Sequence, residues 1–543
     1  MEQALKSIAP KPGQTIIASS VNLDFNEKNK KNRMKKIYSN IRKFTVFTLS
    51  VFTLLSCNNF EDINTNPDDT TNVSASLLAT NVILRITKFA GRDGKSLIAD
   101  NALPKYVGYA NEGQMDQQYN KIGSSDFGGM TILPNIEKMI EYAQGGVMED
   151  SYKGLGAYAK AYTFFRLTME MGDIPYSEAG KGAQGVYKVK YDSQESVLKS
   201  ILDELQAADQ YFAKGRAFDG DPTPYKGDPV KWRKAVNSFA LKVLMTIGKK
   251  ETVGGINVKS RFAEIISAGN ILDSSTGFLG LEYSSQNKHP LSGTNDLFTS
   301  RTIISSLLID NLKKLNDRRI YYFAEPAGAQ IAAGKTKSDP GAYIGVDVEI
   351  EYAVMNSGHS NNLYSLLNKR YLQEEATEPL RIVSYAEQQL ILAEAVLKGW
   401  ITGDAKSYYE SGVKSALADV MKVNKNYAQD MPIDQAYIDG YFTGEAAFKT
   451  TLQERLQQIW MQRYILQFMQ DAETSFFEYR RNGYPVFPIN AATSLNENNK
   501  NGIPMRWLYP GSETTYNREN LIEALNRQYD GYDEINKIMW ILK

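Results

Sequence analysis

The dominant pattern after residue 74 is a return of apolar residues every three or four positions. Val197, Ile201, Leu205 and Phe212 lie on one such stripe, which is the spacing of an amphipathic helix with one buried face. Alternating runs that would indicate strands are few. The pattern predicts helices that start near 74 and cover 132–143, 155–171, 192–212, 229–247, 303–315, 390–397, 404–420 and 446–471.

Turn and capping residues predict where these helices begin and end. The helix over 155–171 ends at Gly172, and Pro175 prevents it from continuing. Side chains that can accept a hydrogen bond from the first helical turn precede the later helices. The predicted N-termini are the capping boxes Asp192–Glu195 and Ser384–Glu387, the Asp228 cap before Pro229, and the Asp404 cap.

Adjacent helix pairs with aromatic and small residues at their interfaces are typical of tetratricopeptide-like stacking. The pairs follow no clean 34-residue period, which indicates a divergent array with large insertions. The stretch 269–379 is loop-rich and predicts only one helix, and loops of this length usually carry function. We predict a mostly α fold, with a tetratricopeptide-like superhelix of helical pairs and an irregular, loop-rich ligand-binding lobe.

The N-terminal part has the order of a secretory signal. Basic residues precede a short apolar run that ends in Leu54-Leu55-Ser56-Cys57, too short to span a bilayer. This ending resembles the lipobox of bacterial lipoproteins, in which cleavage precedes a lipidated cysteine. A buried core cysteine is the alternative. We expect an over-extended start over 1–33, a signal peptide over 34–56, a lipidated tether over 57–74 and the helical domain over 75–543.

Composition excludes several classes of function. Lys plus Arg and Asp plus Glu both number 62, so there is no net charge to attract nucleic acid. The two histidines cannot form a three-histidine zinc site, and the lipidation of Cys57, the one cysteine, would leave no thiol. We expect no metal and no cofactor. Tyr is more frequent than Phe, 33 against 22, which suits surfaces that bind polar ligands.

Several motifs follow one another along the chain in a fixed order. They are Tyr158–Tyr176 with its Gly-Asp-Ile-Pro-Tyr end, Gly227–Ser238, Ser384–Ala395, Arg480–Pro485, Ile503–Arg506 and Tyr509-Pro510. Together they resemble the SusD/RagB family of outer-membrane lipoproteins, and the resemblance covers the chain from Cys57 to Lys543. One departure is Asn316-Asp317-Arg318-Arg319, where the family more often has Asp-Pro-Arg.

The resemblance implies a nutrient-binding lipoprotein at the surface of the cell outer membrane. Such a protein captures an oligosaccharide or a peptide and delivers it to a SusC-like TonB-dependent transporter. A tetratricopeptide-type scaffold lipoprotein of envelope assembly is the alternative, although that class would have tighter repeats. A lipoprotein glycosidase is a third hypothesis. Its carboxylate pair would be Glu387 and Glu394. The sequence instead places Glu387 in a capping box and Glu394 in an Ala-Glu-Ala packing motif. We therefore expect that the protein is not an enzyme.

Tyrosines in irregular stretches are the candidates for ligand contact, because the helical aromatic stripes are committed to packing. Sugar rings stack their C–H faces on aromatic rings, and neighbouring amides bind the hydroxyls. Tyr119, Tyr283 and Tyr352 have polar neighbours and no apolar stripe, and we predict that they bind ligand. The alternative for each ring is that it packs its own loop.

The predicted anchor can be tested at Cys57. Acyl chains on this residue would hold the protein in the membrane, since more than one chain gives stable anchoring. Cys57→Ala should therefore abolish partitioning with membranes, measured by immunoblot of the washed membrane fraction. A variant that stays in that fraction after high-salt washing would place the anchor elsewhere.

Overall fold

The computed structural model describes residues 74–87, 94–111, 113, 115–274, 277–293 and 300–543. Cys57, the signal segment and the tether lie outside these residues, so the predictions made for them stay predictions. Within the described residues, none of the helices is both long enough and apolar enough to cross a membrane.

Helices dominate the described residues. Those before the loop-rich stretch are α1 (Ala75–Thr87), α2 (Gly94–Ala102), α3 (Leu133–Ala143), α4 (Glu149–Met171), α5 (Gln194–Lys214), α6 (Pro229–Thr246) and α7 (Val258–Ala268). Within it are α8 (Ser306–Lys314), α9 (Ile320–Phe323), α10 (Gly328–Ala332), α11 (Tyr352–Ser360) and α12 (Arg370–Gln373). The last are α13 (Tyr385–Leu397), α14 (Ala405–Met421), α15 (Gln435–Asp439), α16 (Leu452–Gln467), α17 (Ala472–Asn482), α18 (Gly511–Tyr516) and α19 (Arg518–Tyr529).

The described strands form three small antiparallel sheets. They are β1 (Val107–Tyr109), β2 (Thr252–Val253), β3 (Ile256–Asn257), β4 (Phe278–Leu281), β5 (Thr302–Ile304) and β6 (Leu380–Ser384). The pairs are β1 with β5, β2 with β3, and β4 with β6, whose register shifts at Leu279/Gly280. The prediction of a mostly α fold is confirmed.

Neighbouring helices pack in pairs around a continuous apolar core. Helix α4 packs along α5, α13 along α14, and α1 along α3. Tyr158 of α4 shows how these interfaces close, because its ring meets Trp232 and Phe239 of α6 edge-on at 5.8 and 5.7 Å between centroids. Edge-to-face contacts of this kind add to the burial of the rings themselves.

Two helix N-termini agree with prediction. Asp228 accepts hydrogen bonds from the backbone N–H groups of Val230 and Lys231, with Pro229 at the first helical position. Asp404 caps α14 in the same way. At α13 the capping box is half formed, because the Ser384 hydroxyl accepts from the Glu387 N–H while the Glu387 carboxylate binds Lys242 and Arg463 instead.

Several predictions of helix bounds are wrong, among them the start of α5 and the helix predicted over 446–471. Ser193, not Asp192, caps α5, because the Asp192 carboxylate accepts the N–H groups of Tyr176 and Ser177 instead. The single helix predicted over 446–471 is shorter and is followed by a second one. Helix α16 starts after a capping box formed by Thr451 and Glu454, and Met469 adopts a φ of 56°, which interrupts the helix before α17.

The turn after α4 ties the N-terminal helices to the C-terminal one. Gly172 adopts a φ of 93°, and a side chain there would collide with Gln528 and Tyr529, so only glycine fits. The next residue, Asp173, accepts from the Gln194 N–H at 2.8 Å and from Arg527 Nε at 2.7 Å. The Gly-Asp-Ile-Pro-Tyr motif is therefore a structural junction.

Charged side chains form a buried ion cluster between five helices. Arg481 donates to both carboxylate oxygens of Glu394 at 2.6 and 2.9 Å and to Glu478 at 2.6 Å. Arg463 donates to Glu478 at 2.7 Å. The cluster comprises Arg166 of α4, Lys242 of α6, Glu387 and Glu394 of α13, Arg463 of α16, and Glu473, Glu478 and Arg481 of α17, together with Asp471.

Removing one member of the buried ion cluster should destabilise the fold. Arg481→Met removes the guanidinium that pairs with Glu394 and Glu478, and Arg463 alone then faces both carboxylates. The excess of buried negative charge should cost about 3–5 kcal/mol of unfolding free energy. Urea denaturation followed by circular dichroism measures the loss. The control is Lys138→Met, which breaks an exposed pair with Glu141 and should change stability little. Equal losses in both variants would contradict a special role for the cluster.

The cluster also predicts a pH dependence of stability. Burial by itself raises the pKa of Glu478, but Arg463 and Arg481 outweigh it and lower the pKa to about 2. A lowered pKa contributes stability above the unfolded value of about 4.3, and this contribution is lost as the pH falls towards 2. Thermal melts of wild type and Glu478→Gln should therefore differ most at pH 7 and converge as the pH falls from about 4.3 towards 2. A difference that stays constant with pH would contradict this assignment.

Candidate ligand-binding cleft

Three segments that are far apart in sequence enclose an open cleft of about 660 Å³. Asn111 and Tyr119 come after β1, residues 351–356 open α11, and residues 492–495 belong to the tail before α18. Arg301, just before β5, completes the lining. The lining residues are Asn111, Tyr119, Arg301, Glu351, Tyr352, Ala353, Asn356, Ala492, Thr493 and Leu495.

Two of the three predicted tyrosines meet in this cleft. The rings of Tyr119 and Tyr352 lie edge to face, with centroids 4.6 Å apart and planes inclined by 71°. The Tyr119 hydroxyl donates to the Ile350 carbonyl at 2.5 Å. Burial and the neighbouring Tyr352 hold the pKa of Tyr119 well above its ordinary value, so this hydroxyl stays protonated at neutral pH.

The expectation of free ring faces in irregular stretches is wrong in part. Tyr119 is only 1% exposed, because Tyr352 covers it and its hydroxyl is held by the backbone. Tyr352 is half-buried and is the first residue of helix α11, so it does not lie in a loop. The more accessible ring of the pair is therefore Tyr352, with Tyr119 supporting it.

Tyr283 lies outside the cleft lining. Its ring packs edge-on against His289, with centroids 5.2 Å apart, and the same imidazole contacts Tyr371. Burial raises the pKa of Tyr283 and lowers the pKa of His289 to about 4. In this part of the chain the ring packs its own loop, which was the alternative that the sequence left open.

Polar side chains surround the tyrosine pair. Arg301 is half-buried and donates from Nη1 to the Ala110 carbonyl at 3.0 Å, while Glu351 and Asn356 are exposed. Thr493 donates from its hydroxyl to the Glu349 carbonyl at 2.7 Å. An aromatic surface beside amide, hydroxyl and charged groups can bind a ligand rich in hydroxyl groups, since pockets combine apolar walls with a few placed polar groups.

Backbone pairing explains why these segments meet. The β1–β5 ladder is extended by the Ala110 N–H, which donates to the Arg301 carbonyl at 3.0 Å, and so Asn111 and Arg301 emerge side by side. The Leu495 N–H donates to the Tyr119 carbonyl at 2.8 Å. These long-range bonds leave no local signal, which is why sequence reasoning missed Asn111, Arg301 and Thr493.

No group of three or more His, Cys, Asp or Glu side chains in the described part of the chain is placed to hold a metal ion. Glu387 and Glu394 do not face the cleft. They are buried in the ion cluster, with Glu394 held by two nitrogens of Arg481. Carboxylates neutralised in this way serve the packing of helices.

Comparison with known proteins identifies the family. A family model described as starch-binding and associating with the outer membrane matches residues 67–510. The chain belongs to this SusD-like family. The matched relatives are helical folds that contain tetratricopeptide-like pairs, so the predicted architecture is confirmed.

Solved structures agree over most of the chain. A SusD homologue from Bacteroides fragilis NCTC 9343 is 38% identical at a TM-score of 0.82, covering 87% of this chain and 100% of its own. A candidate outer membrane protein for nutrient binding from Bacteroides vulgatus ATCC 8482 is 32% identical at 0.79 with the same coverage. A protein described as chitin-binding shares the fold at 24% identity, a TM-score of 0.69 and the same coverage. A comparison with curated proteins finds no match.

Proposed function

We propose that this protein is a nutrient-binding lipoprotein of the outer membrane, exposed at the cell surface, that captures an oligosaccharide or a peptide in the Tyr119–Tyr352 cleft. The observation that carries the proposal is the cleft itself, in which a tyrosine pair lies beside amide, hydroxyl and guanidinium groups. Family membership supports the association with the outer membrane.

The volume of the cleft and the residues that line it favour a carbohydrate ligand. A volume of about 660 Å³ lies within the range of roughly 300–1,000 Å³ typical of ligand sites. The half-buried Tyr352 offers an apolar surface on which a sugar ring can stack. The family description names starch and one relative of the same fold is described as chitin-binding, so both are first probes.

A binding role fits the chemistry better than catalysis. The carboxylates considered for glycoside hydrolysis, Glu387 and Glu394, are buried in ion pairs. Among the described residues that line the cleft, Glu351 is the one carboxylate, whereas glycoside hydrolysis in most families needs two carboxylates flanking the bond. We therefore propose that this protein presents its ligand unchanged to a partner.

Delivery across the membrane needs that partner. We propose a SusC-like TonB-dependent transporter, which this protein would cap while held by its lipidated Cys57. A scaffold of envelope assembly would share the helical pairs. It would have no need for a cleft formed by three converging segments, and the cleft therefore favours ligand capture.

The ligand-binding role is tested by calorimetric titration with maltoheptaose, chitohexaose and an unstructured peptide. Tyr352→Ala should weaken binding of the responding probe by roughly 2 kcal/mol, about 30-fold, the typical loss for a central aromatic contact. The matched control is Tyr516→Ala, which removes a ring that is 74% exposed and outside the cleft lining. Unchanged affinity in Tyr352→Ala would contradict the assignment of the cleft.

Tyr283 stays a prediction that no contact with the cleft supports. Alanine at this position should reduce affinity only for a ligand that extends beyond the cleft. The same titration is repeated with a short and a long member of the ligand series that binds wild type. Tyr283→Ala should weaken binding of the long member and leave binding of the short member unchanged.

The transporter partner is tested by mild detergent extraction and affinity purification of the tagged protein. A large β-barrel protein should co-purify with wild type, and Cys57→Ala should reduce its recovery because the anchor keeps both proteins in one membrane. Recovery of soluble periplasmic chaperones alone would favour the scaffold alternative. Tyr352→Ala should retain the partner, since this residue is proposed to contact ligand.

A further inference from the structure

The segments that line the cleft converge on one buried ion pair. Lys105 Nζ lies 2.5 Å from Glu349 Oε1, and the two side chains are 0% and 1% exposed. The same ammonium group donates to the Gln118 carbonyl at 2.5 Å and to Asn120 Oδ1 at 2.8 Å. Lys105 therefore holds the residues on both sides of Tyr119.

Glu349 makes the matching contacts to the other two segments. Its carbonyl accepts from Asn490 Nδ2 at 3.1 Å and from the Thr493 hydroxyl at 2.7 Å. One residue further along, the Ile350 carbonyl accepts the Tyr119 hydroxyl, and Tyr352 follows in α11. A single residue thus joins the tyrosine pair to the segment that contributes Thr493 and Leu495 to the lining.

Stability alone does not explain a charged pair at this place. Burial lowers the pKa of Lys105 and raises that of Glu349, with the charge of each partner opposing the shift. Replacing such a pair by apolar side chains is often neutral or stabilising. Lys105 and Asn120 also adopt φ values of 63° and 66°, a left-handed conformation that non-glycine residues seldom adopt and that costs free energy.

We infer that the Lys105–Glu349 pair is a positioning device that fixes the Tyr119–Tyr352 surface of the cleft for ligand binding. The inference rests on the proposed function, because it assigns that cleft as the binding site. Neither residue lines the cleft. Both act through the backbone and side-chain groups that they hold, so that the ligand meets a preformed surface and less ordering accompanies binding.

The experiment compares Lys105→Met, the double variant Lys105→Met/Glu349→Met and wild type. The single variant leaves Glu349 buried without its partner and should lower the melting temperature. The double variant removes both charges and should recover most of that loss. If the pair positions the cleft, recovered stability will not restore the cleft geometry.

Amide hydrogen exchange measured by mass spectrometry reports that geometry without any ligand. In the double variant, exchange should rise at least fivefold in residues 115–122, 347–352 and 490–495 and stay at wild-type rates in α4 and α13. Lys242→Met is the control. It removes a buried lysine of the ion cluster and should leave the three segments unchanged. Wild-type exchange in these segments of the double variant would overturn the inference.

Binding provides the second readout. For maltoheptaose or chitohexaose, whichever binds wild type, the double variant should lose at least tenfold in affinity although its melting temperature is recovered. Affinity equal to wild type would overturn the inference while leaving the proposed function intact. If neither probe nor the peptide binds wild type, the proposed function fails, and the exchange pattern still decides whether the pair positions these segments.

Discussion

The buried ion cluster between α4, α6, α13, α16 and α17 is the interaction on which the arrangement of the helices depends. Charges removed from water are tolerated only when each has a partner at short range, and here Glu394, Glu478, Arg463 and Arg481 satisfy one another across three helices. Apolar packing could tolerate a helix that slides by a residue. Paired charges cannot, because a slide would leave several of them unpaired in the interior.

Pairing of buried charges also occurs beside the cleft, here between two residues. The helical pairs supply the scaffold, and the three segments that line the cleft meet where Lys105 and Glu349 pair. Tyr119 shows the consequence. Its ring is packed against Tyr352 and its hydroxyl is bonded to the backbone, so the proposed binding surface is already formed without a ligand. Functional residues positioned by a rigid scaffold are a common arrangement, and in our proposal the buried pair ties these segments to that scaffold.

Helices and their caps were predictable wherever the signal is local. Asp228 before Pro229 and Asp404 cap as expected, because a cap needs only the side chain and the first turn. The prediction that Asp192 caps α5 was wrong for a tertiary reason, because its carboxylate accepts hydrogen bonds from the backbone of the turn after α4. The prediction of one helix over 446–471 was wrong because Met469 has a positive φ, which no residue pattern predicts. Tyr119 and Tyr352 were selected because polar residues and no apolar stripe surround them in the sequence, and their contact came from the fold.

By itself, the sequence determined the mostly α architecture and the family, because periodicity, caps and ordered motifs are carried by neighbouring positions. Only the tertiary structure decided where the cleft lies. Its lining joins residues 111, 301, 352 and 493, and they meet through single long-range bonds such as Leu495 to Tyr119. It also decided that Glu387 and Glu394 are packing charges and that Tyr283 lies outside the cleft, since burial and pairing are properties of the folded chain.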